Sequence, residues 1–179
     1  MAIRIPLKEH TMFIREVEHS DIPFVKSLYQ IQDIQQYCLI HEKYKDKIDD
    51  YVYNILEADC EFGWIIENQY MQPVGMICNW VAPVFRFGYE NVLGFWFLYS
   101  IHPQYRGRGY ATEALKSLIS QFHHPDIAYA AMLIEPDNLS SQRVAQKCGF
   151  VNQHIRGGRR PDGSIATESL WIKNINNEI

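Results

Sequence analysis

The sequence lacks the features that would place it outside the cytoplasm or in a membrane. Its 179 residues include four cysteines, Cys38, Cys60, Cys78 and Cys148, which are widely spaced and form no C-x-x-C pair. No signal-peptide pattern precedes them, so we expect reduced, mostly buried thiols in a cytoplasmic protein. No apolar run reaches the roughly 18 residues that a transmembrane helix needs. No repeat, low-complexity stretch or linker divides the chain, which predicts a single domain over residues 1–179.

An excess of charge of one sign is also lacking. The chain carries 17 lysines and arginines against 21 aspartates and glutamates, which gives a net charge of −4. This balance gives no reason to expect a nucleic-acid partner. Hydrophobic residues make up 47% of the chain and charged residues 21%. Such a composition is typical of a globular protein with a packed core and excludes a disordered one.

The most informative stretch covers residues 95–122 and changes its periodicity twice. Residues 95–101 are an apolar, aromatic-rich run of strand length that Pro103 ends. Residues 104–109, called the glycine loop below, are polar and contain Gly107 and Gly109. From residue 110 to residue 122, apolar side chains recur at helical spacing. The stretch therefore predicts a strand, a glycine-containing loop and an amphipathic helix in succession.

This succession predicts an anion site. The first N–H groups of a helix have no partner within the helix, and its dipole favours negative charge there. Gly107 and Gly109 have no Cβ, so a phosphate can approach the backbone, and Arg106 and Arg108 add positive charge. The P-loop pattern G-x-x-x-x-G-K-[ST] does not occur. The dinucleotide-binding pattern G-x-G-x-x-G is not matched either, because no third glycine follows Gly109 at the required position. We interpret the stretch as a pyrophosphate site of another kind.

The glycine loop reads Gln-Tyr-Arg-Gly-Arg-Gly and resembles the Q/R-x-x-G-x-G/A signature of the GNAT superfamily of N-acetyltransferases. In that family this loop and the helix start bind the pyrophosphate of acetyl-coenzyme A. The resemblance therefore implies acetyl-coenzyme A as co-substrate and no metal. The residues implied to bind this cofactor are Ser100, Ile101, Arg106, Gly107, Arg108, Gly109, Tyr110, Ala111, Thr112, Asn138 and Ser141.

A second motif follows after one further predicted strand. Residues 138–150 resemble the GNAT pattern N-x-x-S-x-x-v-x-x-K-x-G-F, and two motifs in the right order are more specific than either alone. The resemblance implies the family's α+β fold: a mostly antiparallel central sheet that splays between two parallel strands and is flanked by helices. It implies that Asn138 bonds the amides of the pantetheine arm. The alternative is that Asn138 caps a helix and Ser141 is a first-turn residue, and the two interpretations are compatible with each other.

Candidates for acid and base chemistry follow from the same resemblance. Many GNAT enzymes carry a tyrosine as general acid shortly after the G-F pair, but residues 151–155 contain none. The expectation therefore moves to Ser141 as general acid, with water as a fallback. A general base must deprotonate the ammonium, and Glu135, at the end of a predicted strand, is the candidate by position. It is equally consistent with the sequence that Glu135 is an ordinary charged residue at a strand end with no catalytic role. His102 is a weaker candidate for the general base. His123 and His124 have no partner cluster and predict no metal site.

The leading functional hypothesis is an N-acetyltransferase that moves acetyl from acetyl-coenzyme A to a primary amine. The likeness is greatest to the ribosomal-protein N-terminal acetyltransferases of the RimJ/RimL-like subgroup, so the acceptor is a protein N-terminus or a small-molecule amine. The first alternative is a non-catalytic acyl-CoA-binding or regulatory module, and the second is a structural domain with coincidental motifs. We expect a monomer or a homodimer with no membrane partner.

The remaining elements are predicted from periodicity and turn residues. Alternation or apolar runs indicate strands over residues 12–17, 62–67, 74–81, 92–101, 128–134 and 169–173, with another beginning at residue 150. Helical spacing indicates helices opening at residues 20–21 and over residues 45–58 and 140–148, the last ending at Gly149. Residues 30–38 give no clear signal. Residues 82–91 are expected to form a loop, and residues 157–163 a glycine-rich turn.

Overall fold

The strands and helices are those of a mixed α and β protein. The computed structural model describes residues 4–7, 11–37, 50, 61–84, 92–122, 124–156 and 167–175. Its strands are β1 (Ile5–Leu7), β2 (Met12–Glu16), β3 (Glu61–Asn68), β4 (Pro73–Pro83), β5 (Leu93–Ile101), β6 (Ile127–Ile134), β7 (Val151–Arg156) and β8 (Ser169–Asn174). Its helices are α1 (Ile22–Tyr29), α2 (Gln32–Tyr37), α3 (Tyr110–Gln121) and α4 (Leu139–Lys147), with short 3-10 helices at His19–Asp21 and Pro103–Tyr105.

Most predicted elements are confirmed within one to three residues of their bounds. The structure adds β1 and places α2 in the segment that gave no signal. β4 runs two residues further than predicted, to Pro83. The predicted turn over residues 157–163 lies outside the described residues, and so does the helix over residues 45–58 apart from Asp50.

The chain divides into two compact units. The first comprises residues 1–80 and 98–117, and the second residues 81–97 and 118–179. β4 and β5 run through both units. In the first unit the strand order is β1-β2-β3-β4-β5, and in the second β5 continues the order as β5-β6-β8-β7. Antiparallel registers join β1 to β2, β2 to β3 and β3 to β4.

The second unit contains the parallel pair. β5 pairs with β6 in parallel, from Leu93 opposite Ile127 to Trp96 opposite Ala131. β6 pairs with β8, and β8 with β7, in antiparallel registers. The predicted fold class is therefore confirmed: a mixed sheet of eight strands, mostly antiparallel with one parallel pair, and flanking helices. No helix among the described residues is long and apolar enough to cross a bilayer.

Each unit has its own apolar core. In the first unit the inward faces of β3 and β4 pack with α1 and α2, and the buried members are Val17, Val25, Leu28, Tyr29, Ile34, Ile65, Met76 and Cys78. In the second unit Phe122, just after α3, stacks on Phe95 of β5 with ring centroids 4.8 Å apart. The Trp96 indole N–H donates to the Ala82 carbonyl at 3.1 Å, so the polar atom of this buried side chain has a hydrogen-bond partner.

The first unit also contains a buried cluster of charges. The guanidinium of Arg15 on β2 donates to both carboxylate oxygens of Asp21, at 2.7 and 2.8 Å, and to Glu67 Oε1 at 2.8 Å. Arg4 donates to the other Glu67 oxygen at 2.7 Å. Arg15, Asp21 and Glu67 are each at least 94% buried. Hydrogen bonding to Asp21 above all, and then to Glu67, holds the pKa of Arg15 above its ordinary value. Arg15 therefore stays charged throughout the usual pH range.

Candidate functional site

The glycine loop joins β5 to α3 with the backbone that its two glycines predict. Gly107 has φ of 74° and Gly109 φ of 90°, a left-handed region that glycine enters without steric cost. The Gly109 carbonyl accepts the first helical hydrogen bond, from Glu113 N at 3.0 Å. The N–H groups of Tyr110, Ala111 and Thr112 therefore lie in the first turn of a twelve-residue helix, before its ladder begins. This is the arrangement that binds a phosphate at a helix start.

The space beside Gly107 tests whether a phosphate group fits the loop. A Cβ built on Gly107 would meet no heavy atom within 4 Å, so the backbone is open on that side. By contrast, a Cβ on Gly75 of β4 would lie 2.5 Å from the carbonyl oxygen of Ser100. Gly75 is thus needed for packing inside the protein, whereas packing gives no reason for glycine at position 107. The open side of Gly107 suits the close approach of an external group.

Arg106 is engaged by the protein itself. Its Nε donates to the Ile101 carbonyl at 2.9 Å, and its two terminal nitrogens pair with both carboxylate oxygens of Asp33 on α2. This hydrogen bonding lowers the pKa of Asp33 below its usual range, so the Asp33 carboxyl is ionised at neutral pH. The positive charge that the sequence assigned to a phosphate is thus largely balanced by Asp33. Nothing in the sequence joins these two residues, which lie 73 positions apart.

Arg108 lies among aromatic rings at the same loop. Its guanidinium carbon is 5.6 Å from the centroid of the Tyr105 ring, and Tyr105 meets Tyr110 edge to face at 6.3 Å. His102 also packs edge-on against Tyr105 at 6.0 Å, and its Nδ1 accepts a long hydrogen bond from Gln104 N at 3.4 Å. His102 therefore caps the 3-10 helix, which supports its structural interpretation over that of a general base.

The other implied cofactor residues of the first unit are mostly buried. Ser100 and Thr112 are polar residues exposed to 4% and 8%, and Ile101 and Ala111 are buried apolar residues. Little of their side chains is accessible from outside the protein. Their predicted role in cofactor binding therefore concerns main-chain groups at the end of β5 and the start of α3.

The second motif opens helix α4 in the second unit. The Asn138 Oδ1 accepts hydrogen bonds from Ser141 N at 3.1 Å and from the Ser140 hydroxyl at 2.9 Å. Asn138 is thus the N-cap, as the alternative interpretation expected. Both lone pairs of its carbonyl oxygen are used, and no described residue accepts a hydrogen bond from its Nδ2. Its Nδ2 is the group that remains to donate to a pantetheine carbonyl, and the bond between Asn138 and the pantetheine amides stays a prediction.

Glu135 directly follows β6 and contacts the start of β8. The Thr167 hydroxyl donates to its Oε2, and its backbone carbonyl accepts from Asn138 N at 3.0 Å. Glu135, Asn138 and Ser141 therefore lie on one short segment between β6 and the first turn of α4. No local sequence pattern points to Thr167, because its partner is 32 residues away and the contact depends on the β6–β8 pairing.

Cysteine and metal chemistry have no visible basis in these residues. Cys148 is 3% exposed and lies at the end of α4 beside the buried Ala145, as predicted. Cys78 is also buried. Within the described ranges, no three His, Cys, Asp or Glu side chains are grouped as metal ligands would be. His124 lies next to Asp126, and His123 is outside the described residues.

Comparison with protein families gives one match that covers most of the chain. The model of the acetyltransferase (GNAT) domain matches residues 11–151, which include both motifs. No curated protein matches the sequence.

Solved structures share the fold at low sequence identity. RimL, the ribosomal L7/L12 alpha-N-protein acetyltransferase in complex with coenzyme A, has a TM-score of 0.76 and 16% identity, covering 98% of this chain and 100% of that chain. The spermidine N-acetyltransferase from Vibrio cholerae, in complex with CoA and spermine, has a TM-score of 0.68 and 16% identity over 90% and 93% of the two chains. The ribosomal-protein-S5-alanine acetyltransferase from Vibrio fischeri has a TM-score of 0.70 and 16% identity over 98% of each.

Proposed function

Because the chain belongs to the GNAT family of acetyltransferases, we propose that it transfers acetyl from acetyl-coenzyme A to a primary amine. The observation that carries this proposal is the glycine loop. Its two left-handed glycines lead into the first turn of α3, and the backbone at Gly107 is open to an external group. A helix start of this kind favours a pyrophosphate.

The binding residues follow from the same geometry. The N–H groups of the first turn of α3 and the open backbone at Gly107 would hold the pyrophosphate. Arg108 contributes positive charge, while Arg106 fixes the loop to α2 through Asp33. Asn138 donates from Nδ2 to a carbonyl of the pantetheine arm. Acetyl-coenzyme A supplies the acetyl group as a reactive thioester.

The proposed transfer is a direct attack in a ternary complex. Glu135, oriented by the hydroxyl of Thr167, takes a proton from the substrate ammonium, because an ammonium has no lone pair for the attack. As the new C–N bond forms and the C–S bond breaks, the nitrogen releases its second proton to solvent to give the neutral amide. Ser141 donates its hydroxyl proton to the departing thiolate and is reprotonated from solvent. Neither of the two described cysteines, Cys78 and Cys148, carries the acetyl group, because both are buried and a buried thiol is a poor nucleophile.

The acceptor is a primary amine of either of two kinds. RimL and the Vibrio fischeri enzyme are named for ribosomal proteins, and the Vibrio cholerae enzyme for spermidine. We propose a protein N-terminus or a small-molecule amine, and a single catalytic domain that acts in the cytoplasm as a monomer or a homodimer.

The experiment that tests this function is a transfer assay with a broad panel of amines and peptides. Free coenzyme A is measured as released thiol, and each acceptor is examined by mass spectrometry for one added acetyl group. Steady thiol release together with an acetylated acceptor supports the enzyme. Saturable binding of acetyl-coenzyme A without release on any acceptor supports the non-catalytic acyl-CoA-binding module instead. Absence of binding rejects both.

A further inference from the structure

The carboxylate of Asp33 joins helix α2 to the glycine loop within the first unit. Its two oxygens accept hydrogen bonds from the two terminal nitrogens of Arg106, so the contact is bidentate. The third guanidinium nitrogen, Nε, donates to the carbonyl of Ile101 at the end of β5 at 2.9 Å. All three nitrogens of the Arg106 guanidinium therefore have partners in the protein. A bidentate pair of this kind fixes the orientation of the guanidinium as well as balancing its charge.

Helix α2 is itself held by the core of the first unit. Ile34, the residue after Asp33, is 4% exposed and belongs to the apolar cluster that includes Ile65 and Met76. The backbone N–H of Ile34 donates to the Ile31 carbonyl at 3.0 Å. Asp33 therefore presents its carboxylate from a packed support, and the ion pair fixes the start of the glycine loop relative to that core.

The loop needs such a fixed point because the residue after Arg106 is a glycine. Gly107 has φ of 74°, and a Cβ built on it would have no neighbour within 4 Å, so side-chain packing does not restrain this residue. Glycine loses more conformational freedom on ordering than any other residue. If the ligand had to order the loop, this entropy would weaken its binding. An anchor immediately before Gly107 lowers that cost before the ligand binds.

We propose that Asp33 is a positioning residue, which acts through Arg106 to hold the glycine loop in its pyrophosphate-binding shape. This role rests on the proposed function, because it concerns the affinity of the loop for acetyl-coenzyme A. The opposite role is that of a competitor, a carboxylate that occupies Arg106 and must be displaced by the pyrophosphate. The bond from Nε to the Ile101 carbonyl favours positioning, since it commits the guanidinium to the protein and leaves the N–H groups at the start of α3 to bind the anion.

The two roles predict opposite effects of Asp33→Asn, which removes the charge and keeps the size of the side chain. Positioning predicts that Kd for acetyl-coenzyme A, measured by isothermal titration calorimetry, rises about three- to fivefold, the contribution of a partly exposed ion pair. Competition predicts that Kd falls. Asp33→Glu retains a carboxylate for the guanidinium, so it should bind acetyl-coenzyme A within about twofold of the wild type.

A second ligand separates positioning from general damage to the fold. S-acetylpantetheine carries the thioester but no pyrophosphate, so its binding should not depend on the shape of the glycine loop. Asp33→Asn should bind this fragment as well as the wild type does, as measured by ligand-observed NMR. Lost affinity for both ligands would show a merely structural role and overturn the proposal.

A double variant tests whether Asp33 acts through Arg106. Asp33→Asn combined with Arg106→Gln should bind acetyl-coenzyme A no more weakly than Arg106→Gln alone, because the first change has nothing further to disrupt. Additive losses would mean that Asp33 acts by another route and would contradict the proposal.

Asp126→Asn is the matched control for the change in charge. Its carboxylate is 77% exposed just before β6 in the second unit, and its loss alters the net charge by the same amount. This variant should bind acetyl-coenzyme A as the wild type does. An equal rise of Kd in Asp126→Asn would show that net charge alone is responsible, against a positioning role for Asp33.

Failure of the positioning role and failure of the transferase function give different results. An unchanged or lower Kd in Asp33→Asn overturns the positioning role and leaves the transferase function intact. Failure of the wild type to bind acetyl-coenzyme A at all would reject the transferase function, and the role of Asp33 with it.

Discussion

Replacing Gly107 by alanine has two separable effects. It lowers the stability of the free protein through backbone strain, and it weakens the binding of acetyl-coenzyme A. At φ of 74° an alanine costs roughly 1–2 kcal/mol, and its lower entropy in the unfolded chain offsets part of this. No atom lies within 4 Å of the added methyl, so no steric cost adds to the strain. We expect the free protein to lose about 1 kcal/mol, which lowers Tm by about 2–4 °C for a chain of this length.

The bound state should be affected far more. At a concentration about a hundred times Kd, acetyl-coenzyme A stabilises the wild type by about 2.7 kcal/mol. If the methyl group occupies the space that the pyrophosphate needs and raises Kd about a hundredfold, the same concentration stabilises the variant by only about 0.4 kcal/mol. Differential scanning fluorimetry with and without acetyl-coenzyme A measures both quantities.

Gly149→Ala is the matched control for this experiment. Gly149 follows α4 with φ of 83°, and its added methyl would lie 3.7 Å from Lys173 Cδ, an ordinary contact. The control should lose similar stability in the free protein but keep the full shift caused by acetyl-coenzyme A. A full shift in Gly107→Ala would refute the placement of the pyrophosphate, and an equal loss in Gly149→Ala would show that the effect is not local.

Three other perturbations test the buried charges and the chemistry. Arg15→Met leaves the buried Asp21 without its cation and Glu67 with Arg4 alone, and it should cost about 3–5 kcal/mol of unfolding free energy in urea titration. A loss below about 1 kcal/mol would contradict the importance of the cluster. Ser141→Ala keeps the backbone N–H that bonds the N-cap Asn138, so helix α4 should persist. The loss of the hydroxyl should lower kcat by roughly 10²-fold or more. A change confined to the KM for the cofactor would instead mean that Ser141 only positions the cofactor. Cys148→Ala should retain activity, and double-reciprocal plots of the initial rate with both substrates varied should give intersecting lines. Parallel lines, together with one acetyl group found on Cys148 by mass spectrometry, would overturn direct attack.

Local sequence signals determined the glycine loop and the helices α3 and α4 that follow it in the chain. Three signals carry this information: the change from a strand-like apolar run to helical spacing, the two glycines, and the asparagine before α4. Each of them acts through neighbours within four residues. Hydrogen bonds of turns and helix caps are of this short range, so the residue types alone specify them. The same reasoning predicted that Cys148 would face the core, because helical spacing places it on the same face as Ala145.

The partners of the charged residues were decided only by the tertiary structure. Arg106 has the same sequence context as Arg108, yet it pairs with Asp33 on α2, while Arg108 lies against Tyr105. Arg15 likewise meets Glu67 only because β2 pairs with β3. Contacts of this kind join positions tens of residues apart, and a sequence gives the charge of each residue without the distance between them. Only the pairing of strands and the packing of helices bring such charges together.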